Sequence, residues 1–292
     1  MTLKRIGVVG AGFMGTGIAQ VCAQARLDIV LVDVRESQLD RALKTIAWSL
    51  NKLAEKGLLD ESPKSILNRI VPSPTYDACA DADLVVEAVF EELHAKHEVL
   101  TQLATICPAS TILGSNTSTI PITRLAENMK APERVIGIHF FGPVPLMKLV
   151  EIVPHAATRA AVTQRVLEFI RALGKNPVLV KQDIPGFLMN RIFGVMAIEA
   201  IRLVETGAGS VADIDQGMCD GFNMRVGPLA IADAAGLDIM LNACRVMHEL
   251  DPSRIPEPPA LLVDLVKAGN LGAKSGQGFY RWDGVKRLGS AI

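Results

Sequence analysis

Residues 4–26, KRIGVVGAGFMGTGIAQVCAQAR, decide the fold of the N-terminal half of the chain. A short run of β-branched residues leads into Gly10-Ala-Gly12-Phe-Met-Gly15, which matches the pattern G-x-G-x-x-G, and apolar residues at helical spacing follow. In this pattern the first glycine makes the turn, the second lets a pyrophosphate approach the backbone, and the third lets the helix pack closely. The stretch therefore predicts a strand, a tight turn and a helix whose N-terminus can bind an anion.

An acidic residue, Asp33, ends the next apolar run, LDIVLVDV, 23 positions after Gly10. A carboxylate at this point accepts hydrogen bonds from both ribose hydroxyls of a dinucleotide and repels a 2′-phosphate. We therefore expect NAD as the cofactor rather than NADP. Arg35, two positions further on, points the other way, because arginine near this place can accommodate a 2′-phosphate.

Short apolar runs alternate with helical patterns as far as residue 183, namely ADLVVEAV, STILGSN, ERVIGIHF and LMKLVEIV after the first two. This alternation predicts a parallel sheet covered by helices on both faces. Residues 36–70 depart from it, because they form a long polar, amphipathic tract that we interpret as a helical hairpin turning near Gly57. After Asp183-Ile-Pro-Gly the strand signals fade and helical patterns dominate.

The predicted fold class is α/β, with two domains. Residues 1–185 form a Rossmann-type, doubly wound sheet that carries the helical hairpin at about residues 36–70, and residues 186–292 form an all-α domain. The predicted helices of the second domain lie at 187–206, 210–220, 227–249 in two pieces, and 259–268.

Composition excludes several classes of partner. The chain has 30 Lys and Arg against 31 Asp and Glu and no basic block, so we expect no nucleic-acid partner. Its five cysteines are scattered, with no Cys-x-x-Cys pair, which favours a reducing cytoplasm over a disulfide framework or a metal site. No uncharged apolar run reaches about 18 residues, so we expect no membrane span and a cytoplasmic protein.

The stretch GIHFFGPVPLMKLVEI, residues 137–152, contains only three ionisable groups, His139, Lys148 and Glu151. Taken alone, it allows two interpretations: a buried histidine satisfied by a neighbour, or an acid/base pair at one end of the sheet. Histidine suits proton transfer because it ionises near neutral pH, and a carboxylate on its other ring nitrogen fixes the tautomer.

Six motifs are spread over nearly the whole chain, and their order along the sequence is itself informative. They are GAGFMGTGIAQ, SNTSTIPIT, HFFGPVPLMKLVEI, DIPGFLMNR, GPLAIADAAGLD and AKSGQGFY. In this order they resemble L-3-hydroxyacyl-CoA dehydrogenases. The resemblance implies an NAD-dependent oxidoreductase of fatty acid metabolism that oxidises a short L-3-hydroxyacyl-CoA, such as 3-hydroxybutyryl-CoA, to the 3-ketoacyl-CoA. It also implies a homodimer formed through the C-terminal helical domain.

The resemblance implies a role for each matching position. His139 would be the catalytic acid/base and Glu151 its orienting partner, while Ser118 and Asn190 would contact the reacting oxygen of the substrate. On the hairpin, Ser49 would contact coenzyme A. So would Lys56. The positions implied to surround NAD are Gly10, Gly12, Phe13, Met14, Gly15, Asp33, Glu91, Lys96, Ser118 and Lys274. At one position the chain departs from the family, which commonly has Asn where this sequence has Gly142.

Other interpretations remain open at the level of sequence. Ser118 is placed to cap a helix beginning near Pro121, Asn190 suits an exposed helix position, and the hairpin lysines suit a solvated face. The alternative function is an NAD-dependent dehydrogenase of a free hydroxy acid or sugar acid, which would not need Ser49 and Lys56. A third interpretation is a catalytically silent dinucleotide-binding or crystallin-like structural protein, and the set formed by His139, Glu151, Ser118 and Asn190 argues against it.

Overall fold

The structure is a computed structural model that describes residues 3–292. The chain divides into two units, one ending at Ile184 and the other beginning at Pro185.

An eight-stranded sheet forms the centre of the first unit. Its strands are β1 (Arg5–Val9), β2 (Asp28–Val32), β3 (Ile70–Ser73), β4 (Leu84–Glu87), β5 (Ile112–Ser115), β6 (Val135–Phe140), β7 (Leu149–Val153) and β8 (Asn176–Leu179). They lie in the order β3-β2-β1-β4-β5-β6-β7-β8, and the first six in this order are parallel. This 3-2-1-4-5-6 order is that of a dinucleotide-binding sheet, so the predicted fold class is confirmed.

The last two strands differ from the predicted parallel arrangement. β7 runs antiparallel to β6, and β8 pairs parallel with β7. The turn between β6 and β7 makes this reversal possible, because a parallel neighbour needs a longer crossover.

Helices connect the strands of this unit: α1 (Phe13–Gln24), α2 (Glu36–Glu55), α3 (Pro63–Leu67), α4 (Leu93–Ile106), α5 (Ile122–Leu125) and α6 (Ala160–Ala172). The strands are nearly continuously apolar because both faces need covering; all six residues of β6, for example, are buried.

The predicted hairpin is formed by α2 and α3. Four residues of α2 at helical spacing, Leu39, Ala42, Ile46 and Leu50, make a buried stripe on the core. The chain reverses after Gly57, whose φ of 67° favours glycine. The returning arm is only five residues long, and β3 begins where the hairpin was expected to end.

The second unit is helical, as expected. It contains α7 (Met189–Glu205), α8 (Val211–Phe222), α9 (Pro228–Ala235), α10 (Leu237–Leu250) and α11 (Ala260–Lys267). A two-stranded antiparallel ribbon of β9 (Tyr280–Asp283) and β10 (Lys286–Ser290), which the sequence analysis did not predict, is added to them. No helix described between residues 3 and 292 is both long and apolar enough to cross a membrane.

Two buried carboxylates hold the motifs GPLAIADAAGLD and AKSGQGFY of this unit in place. Asp215 accepts hydrogen bonds from the Leu229 and Ala230 N–H groups at the start of α9, at 2.8 and 2.9 Å. Asp233, inside GPLAIADAAGLD, accepts from the Phe279 N–H at 3.0 Å and so joins that motif to SGQGFY. Both carboxylates therefore stabilise the second unit by accepting hydrogen bonds from its backbone.

Candidate active site

His139 and Glu151 are direct cross-strand partners on β6 and β7. The His139 Nδ1 lies 2.9 Å from the Glu151 Oε2, and the two side chains are only 6% and 0% exposed. The ring of Phe141 packs against the imidazole with its centroid 4.4 Å away. The antiparallel reversal at β7 is therefore what brings the two residues together.

The carboxylate of Glu151 determines which ring nitrogen carries the hydrogen. A carboxylate only accepts hydrogen bonds, so the hydrogen of a neutral imidazole lies on Nδ1. The Nε2 atom is then the basic nitrogen. The geometry thus favours the acid/base interpretation over that of a histidine kept only for packing.

Ser118 lies in the segment between β5 and α5, and a single carboxylate organises this segment. The Glu91 Oε1 accepts hydrogen bonds from the N–H groups of Ser118 and Thr119 at 2.8 and 3.0 Å, and from the hydroxyls of Thr117, Ser118 and Thr119 at 2.7, 3.2 and 3.1 Å. The start of α5 is capped by Asp183, whose carboxylate accepts the Ile122 and Thr123 N–H groups at 2.9 and 2.6 Å, so the alternative role of Ser118 as the capping residue of α5 is wrong.

A buried lysine supports this carboxylate. The Lys96 Nζ is 2.8 Å from the Glu87 Oε1, 3.3 Å from the Glu91 Oε2 and 3.2 Å from the Val89 carbonyl oxygen. The three N–H donors of an ammonium group match these three acceptors. Lys96 is thus satisfied within the protein, and its predicted contact with NAD stays a prediction.

These ion pairs set the charge states of the network. Burial on its own would raise the pKa of Glu91, but the charge of Lys96 and the hydrogen bonds from Thr117, Ser118 and Thr119 outweigh it, and the pKa is lowered. Burial would likewise lower the pKa of Lys96, but Glu87 and Glu91 raise it above its ordinary value. Both groups are therefore charged at neutral pH.

The glycine turn has the form expected of a pyrophosphate site. Gly10 has φ of 101°, and a Cβ added to Gly15 would stand 1.8 Å from the Gly10 carbonyl oxygen. A Cβ on Gly12, in contrast, would have no described atom within 4 Å. Gly12 is also the N-cap residue of α1, and as a glycine it has no side chain to accept hydrogen bonds from the first turn of the helix. The N–H groups of that turn are therefore suited to bind an anion. The turn fits the diphosphate of NAD.

Asp33 lies immediately after β2, at the carboxyl edge of the sheet. Its Oδ2 accepts the Ala11 N–H at 2.9 Å and its Oδ1 accepts the Arg35 N–H at 3.0 Å. The Arg35 guanidinium is more distant, with Nε 3.8 Å from the Asp33 Oδ1. Each carboxylate oxygen keeps acceptor capacity for a ribose hydroxyl, as the sequence analysis expected.

A cavity of about 450 Å³ lies beside the glycine turn, within the first unit. Its walls come from the start of α1, from α2, and from the loop of residues 141–148 that joins β6 to β7. The residues that line it include Gly12, Phe13, Thr45, Trp48, Ser49, Pro143, Val144 and Pro145. Ser49, a predicted coenzyme A contact, is therefore on a cavity wall, whereas Lys56 is the exposed C-cap residue directly after α2.

Gly142 lies against Phe13, a residue of this wall. A Cβ at Gly142 would stand 2.6 Å from the Phe13 Cε1, so a larger residue requires the Phe13 ring to move. This ring is 70% exposed and has room to move, so the contact does not account for the departure from the common Asn.

Two family models match the chain: "3-hydroxyacyl-CoA dehydrogenase, NAD binding domain" at residues 5–184 and "3-hydroxyacyl-CoA dehydrogenase, C-terminal domain" at residues 186–282. The chain belongs to the 3-hydroxyacyl-CoA dehydrogenase family. The resemblance stated from the motifs is confirmed, and the cofactor of the family's N-terminal domain is NAD.

Relatives of this family match along the full length. The probable 3-hydroxybutyryl-CoA dehydrogenase of Bacillus subtilis is 44% identical over 285 residues, which cover 97% of this chain and 99% of that protein. Among solved structures, FadB2 of M. tuberculosis has a TM-score of 0.93 at 36% identity, covering 97% of this chain and 100% of the other. The (S)-3-hydroxybutyryl-CoA dehydrogenase PaaH1 of Ralstonia eutropha has a TM-score of 0.91 at 39% identity, with the same coverage.

Two predicted site residues of this dehydrogenase lie in the second unit. Asn190 is the second residue of α7, and Lys274 lies in a short 3-10 turn where its Nζ donates to the Asp238 Oδ2 at 2.7 Å. Their predicted roles toward substrate and NAD stay predictions.

Sequence reasoning missed two buried hydrogen bonds next to the candidate site residues. Glu87 accepts from the Ser115 hydroxyl at 2.6 Å, and the Asn116 Oδ1 accepts the Phe140 N–H at 2.9 Å. The available signal was the carboxylate of Glu87 directly after the apolar residues 84–86, since an unpaired charge there would be costly to bury.

Proposed function

We propose that this dehydrogenase oxidises a short L-3-hydroxyacyl-CoA, such as 3-hydroxybutyryl-CoA, to the 3-ketoacyl-CoA with NAD. The observation that carries the proposal is the buried His139–Glu151 hydrogen bond of 2.9 Å, in the same unit as a glycine turn open at Gly12. The full-length relatives named 3-hydroxybutyryl-CoA dehydrogenase support the substrate class.

Each residue has a defined task in the oxidation. The His139 Nε2 takes the proton of the substrate hydroxyl as the C–H bond breaks, and Glu151 stabilises the imidazolium that forms. Ser118 and Asn190 donate hydrogen bonds to the reacting oxygen. Bound NAD supplies the hydride acceptor. In the reverse direction the imidazolium of His139 returns the proton to the oxygen.

Coenzyme A binds along α2, with Ser49 and Lys56 as contacts. The cavity beside Trp48 and Ser49 supports this placement, since it gives an elongated thioester a wall of apolar and polar groups next to the glycine turn. A free hydroxy acid, the alternative substrate, would leave this part of the hairpin unused.

The enzyme is a homodimer that assembles through its second unit, and it works in the cytoplasm. Large apolar side chains exposed on this unit support the assembly, among them Ile192, Phe222 and Ile239 with 64%, 76% and 60% of their surface exposed. Light scattering at micromolar concentration tests it, and a monomer would contradict it.

The test of the function is NADH formation with a panel of 3-hydroxyacyl-CoA thioesters and free hydroxy acids. We expect turnover of short thioesters and a kcat about 10²–10⁴ lower in His139→Ala, while the Kd for NAD is nearly unchanged. Glu151→Gln should also lower kcat, because an amide holds the ring without stabilising its positive charge. Turnover of free acids alone, or full activity in His139→Ala, would refute the proposal.

A further inference from the structure

Lys175 lies beneath the loop of residues 141–148. Neither the sequence motifs nor the proposed mechanism gives this lysine a role. It follows α6 and precedes β8, and it is only 7% exposed. Its Nζ donates to the Val144 carbonyl at 2.6 Å and to the Met147 carbonyl at 2.7 Å. One side chain thus binds this loop at two points, three residues apart.

Lys175 has no ion-pair partner within residues 3–292. Burial lowers its pKa; Cys22 opposes this effect and Lys148 adds to it. A buried ammonium that is met only by carbonyl groups contributes little net stability, because its desolvation offsets its hydrogen bonds. Its specific effect is therefore to hold the two carbonyls in place.

The other side of the loop is held by packing. Val144 is buried in the core, and a Cβ added to Gly17 on α1 would stand 2.8 Å from the Val144 Cβ. The backbone carbonyl of Pro143 accepts from the Leu146 and Met147 N–H groups at 2.9 and 3.0 Å, which closes the turn. Lys175 and Gly17 therefore clamp the loop between them.

The clamped loop has two connections to the site. It joins the strand of His139 to the strand of Glu151, and its residues Pro143, Val144 and Pro145 form the cavity wall that faces Trp48 and Ser49. The position of this wall sets the width of the cavity.

We propose that Lys175 is a positioning residue for the acyl-CoA substrate, which acts by holding the carbonyls of Val144 and Met147 and so fixes the wall opposite Trp48 and Ser49. This inference rests on the proposed function, because the cavity is taken as the path of the coenzyme A moiety. The loop is preorganised for binding, so its release costs affinity for the thioester rather than for NAD.

The test compares Lys175→Met, which keeps the apolar stem and removes all donors, with Lys175→Arg, which keeps donors for two carbonyls. We expect Lys175→Met to raise KM for the acyl-CoA about 10-fold, with kcat and the Kd for NAD within about twofold, and Lys175→Arg to restore much of the KM. Lys181→Met, at an exposed lysine of the same unit, is the matched control and should resemble the wild type. An unchanged KM in a folded Lys175→Met variant would overturn the proposal, and so would an equal loss of NAD affinity.

Amide hydrogen exchange gives a readout that needs no substrate. Lys175→Met should speed exchange in the peptide covering residues 141–148 while exchange in β1 is unchanged; unchanged exchange in the loop would overturn the clamp. If the wild type fails to oxidise acyl-CoA but the exchange result holds, the proposed function fails and the clamp stands. Should Lys175→Met not fold, Gly17→Ala displaces Val144 from the opposite side and must raise the same KM.

Discussion

Glu87 and Lys96 form an ion pair of 2.8 Å in which the two side chains are only 0% and 1% exposed, although one ends a strand and the other lies in the following helix. Such a buried pair contributes little net stability while it is intact, but removing one partner is strongly destabilising because the other charge is left buried alone. The pair therefore makes the position of Glu91, and through it of Ser118, dependent on both charges.

Lys96→Met should destabilise the protein by about 3–5 kcal/mol, because it leaves Glu87 fully buried, and Glu91 partly buried, without a cation. The measurement is the free energy of unfolding by urea. Lys64→Met, at an exposed lysine, serves as the control and should change it by less than about 0.5 kcal/mol. Adding Glu87→Gln to Lys96→Met should recover part of the loss, and strict additivity of the two changes would contradict the coupling.

Substitutions at two glycines of the turn should distinguish an effect on NAD binding from an effect on the stability of the protein. Gly12→Ala should leave the melting temperature nearly unchanged, because its Cβ enters open space, and should raise the Kd for NAD about 10-fold or more by obstructing the diphosphate. Gly15→Ala should instead cost about 3 kcal/mol or more, since its Cβ meets a backbone oxygen. Calorimetry and cofactor fluorescence measure both, and normal NAD affinity in Gly12→Ala would place the diphosphate elsewhere.

Asp33 should set the preference for NAD over NADP. Asp33→Asn keeps an oxygen for the Ala11 N–H and removes the charge that repels a 2′-phosphate. We expect the ratio of kcat/KM for the two cofactors to narrow by about 10-fold, with Arg35 then free to favour NADP. Asp33→Asn combined with Arg35→Ala is the control. An unaltered ratio would remove Asp33 from the ribose site.

The ion pair of Glu61 with Arg69, at the end of the hairpin, should make the stability of the protein depend on pH. The pKa of Glu61 is lowered to about 2 from its ordinary value of 4.5. The largest cause is the pair of hydrogen bonds that the Arg69 guanidinium donates to the Glu61 carboxylate at 2.7 and 2.6 Å. A lowered pKa means that this contribution is complete above about pH 4.5 and is lost as the pH falls toward 2. The difference in melting temperature between wild type and Glu61→Gln should therefore shrink over that range, with Glu55→Gln as the control. A difference that stays constant would contradict the assignment.

Lys56→Glu tests the coenzyme A contact on α2. We expect KM for the acyl-CoA to rise about 5- to 10-fold with little change in kcat, because an exposed charge remote from the reacting carbon contributes mainly uniform binding. Lys52→Glu, one turn earlier on α2, is the comparison. Equal KM values in Lys56→Glu and the wild type would favour a free acid as substrate.

Prolines explain which strands the sequence pattern could not predict. The strands β3 and β8 contain Pro72 and Pro177, and both lie at the edges of the sheet, where proline is tolerated but where the apolar pattern is short. Central strands such as β1 and β6 were predictable because burial on both faces demands continuous apolar runs.

The site was predictable only where a residue type implies its own chemistry. The glycines, Asp33 and His139 meet this condition. The contacts of Glu91 with residues 117–119, and of Lys175 with two backbone carbonyls, join residues that are 26 or more positions apart, and no local period encodes them.

The antiparallel pairing of β6 with β7 makes the His139–Glu151 pair depend on the register of the two strands. The two residues are direct cross-strand partners, and a shift of one residue in either strand would turn one of them to the other face of the sheet. Because the length of the turn helps to fix this register, the number of residues within 141–148 is constrained. Exchanging this turn between paralogues for one of equal length is therefore a route to new substrate range that keeps His139 opposite Glu151, provided that the replacement offers Lys175 two carbonyls.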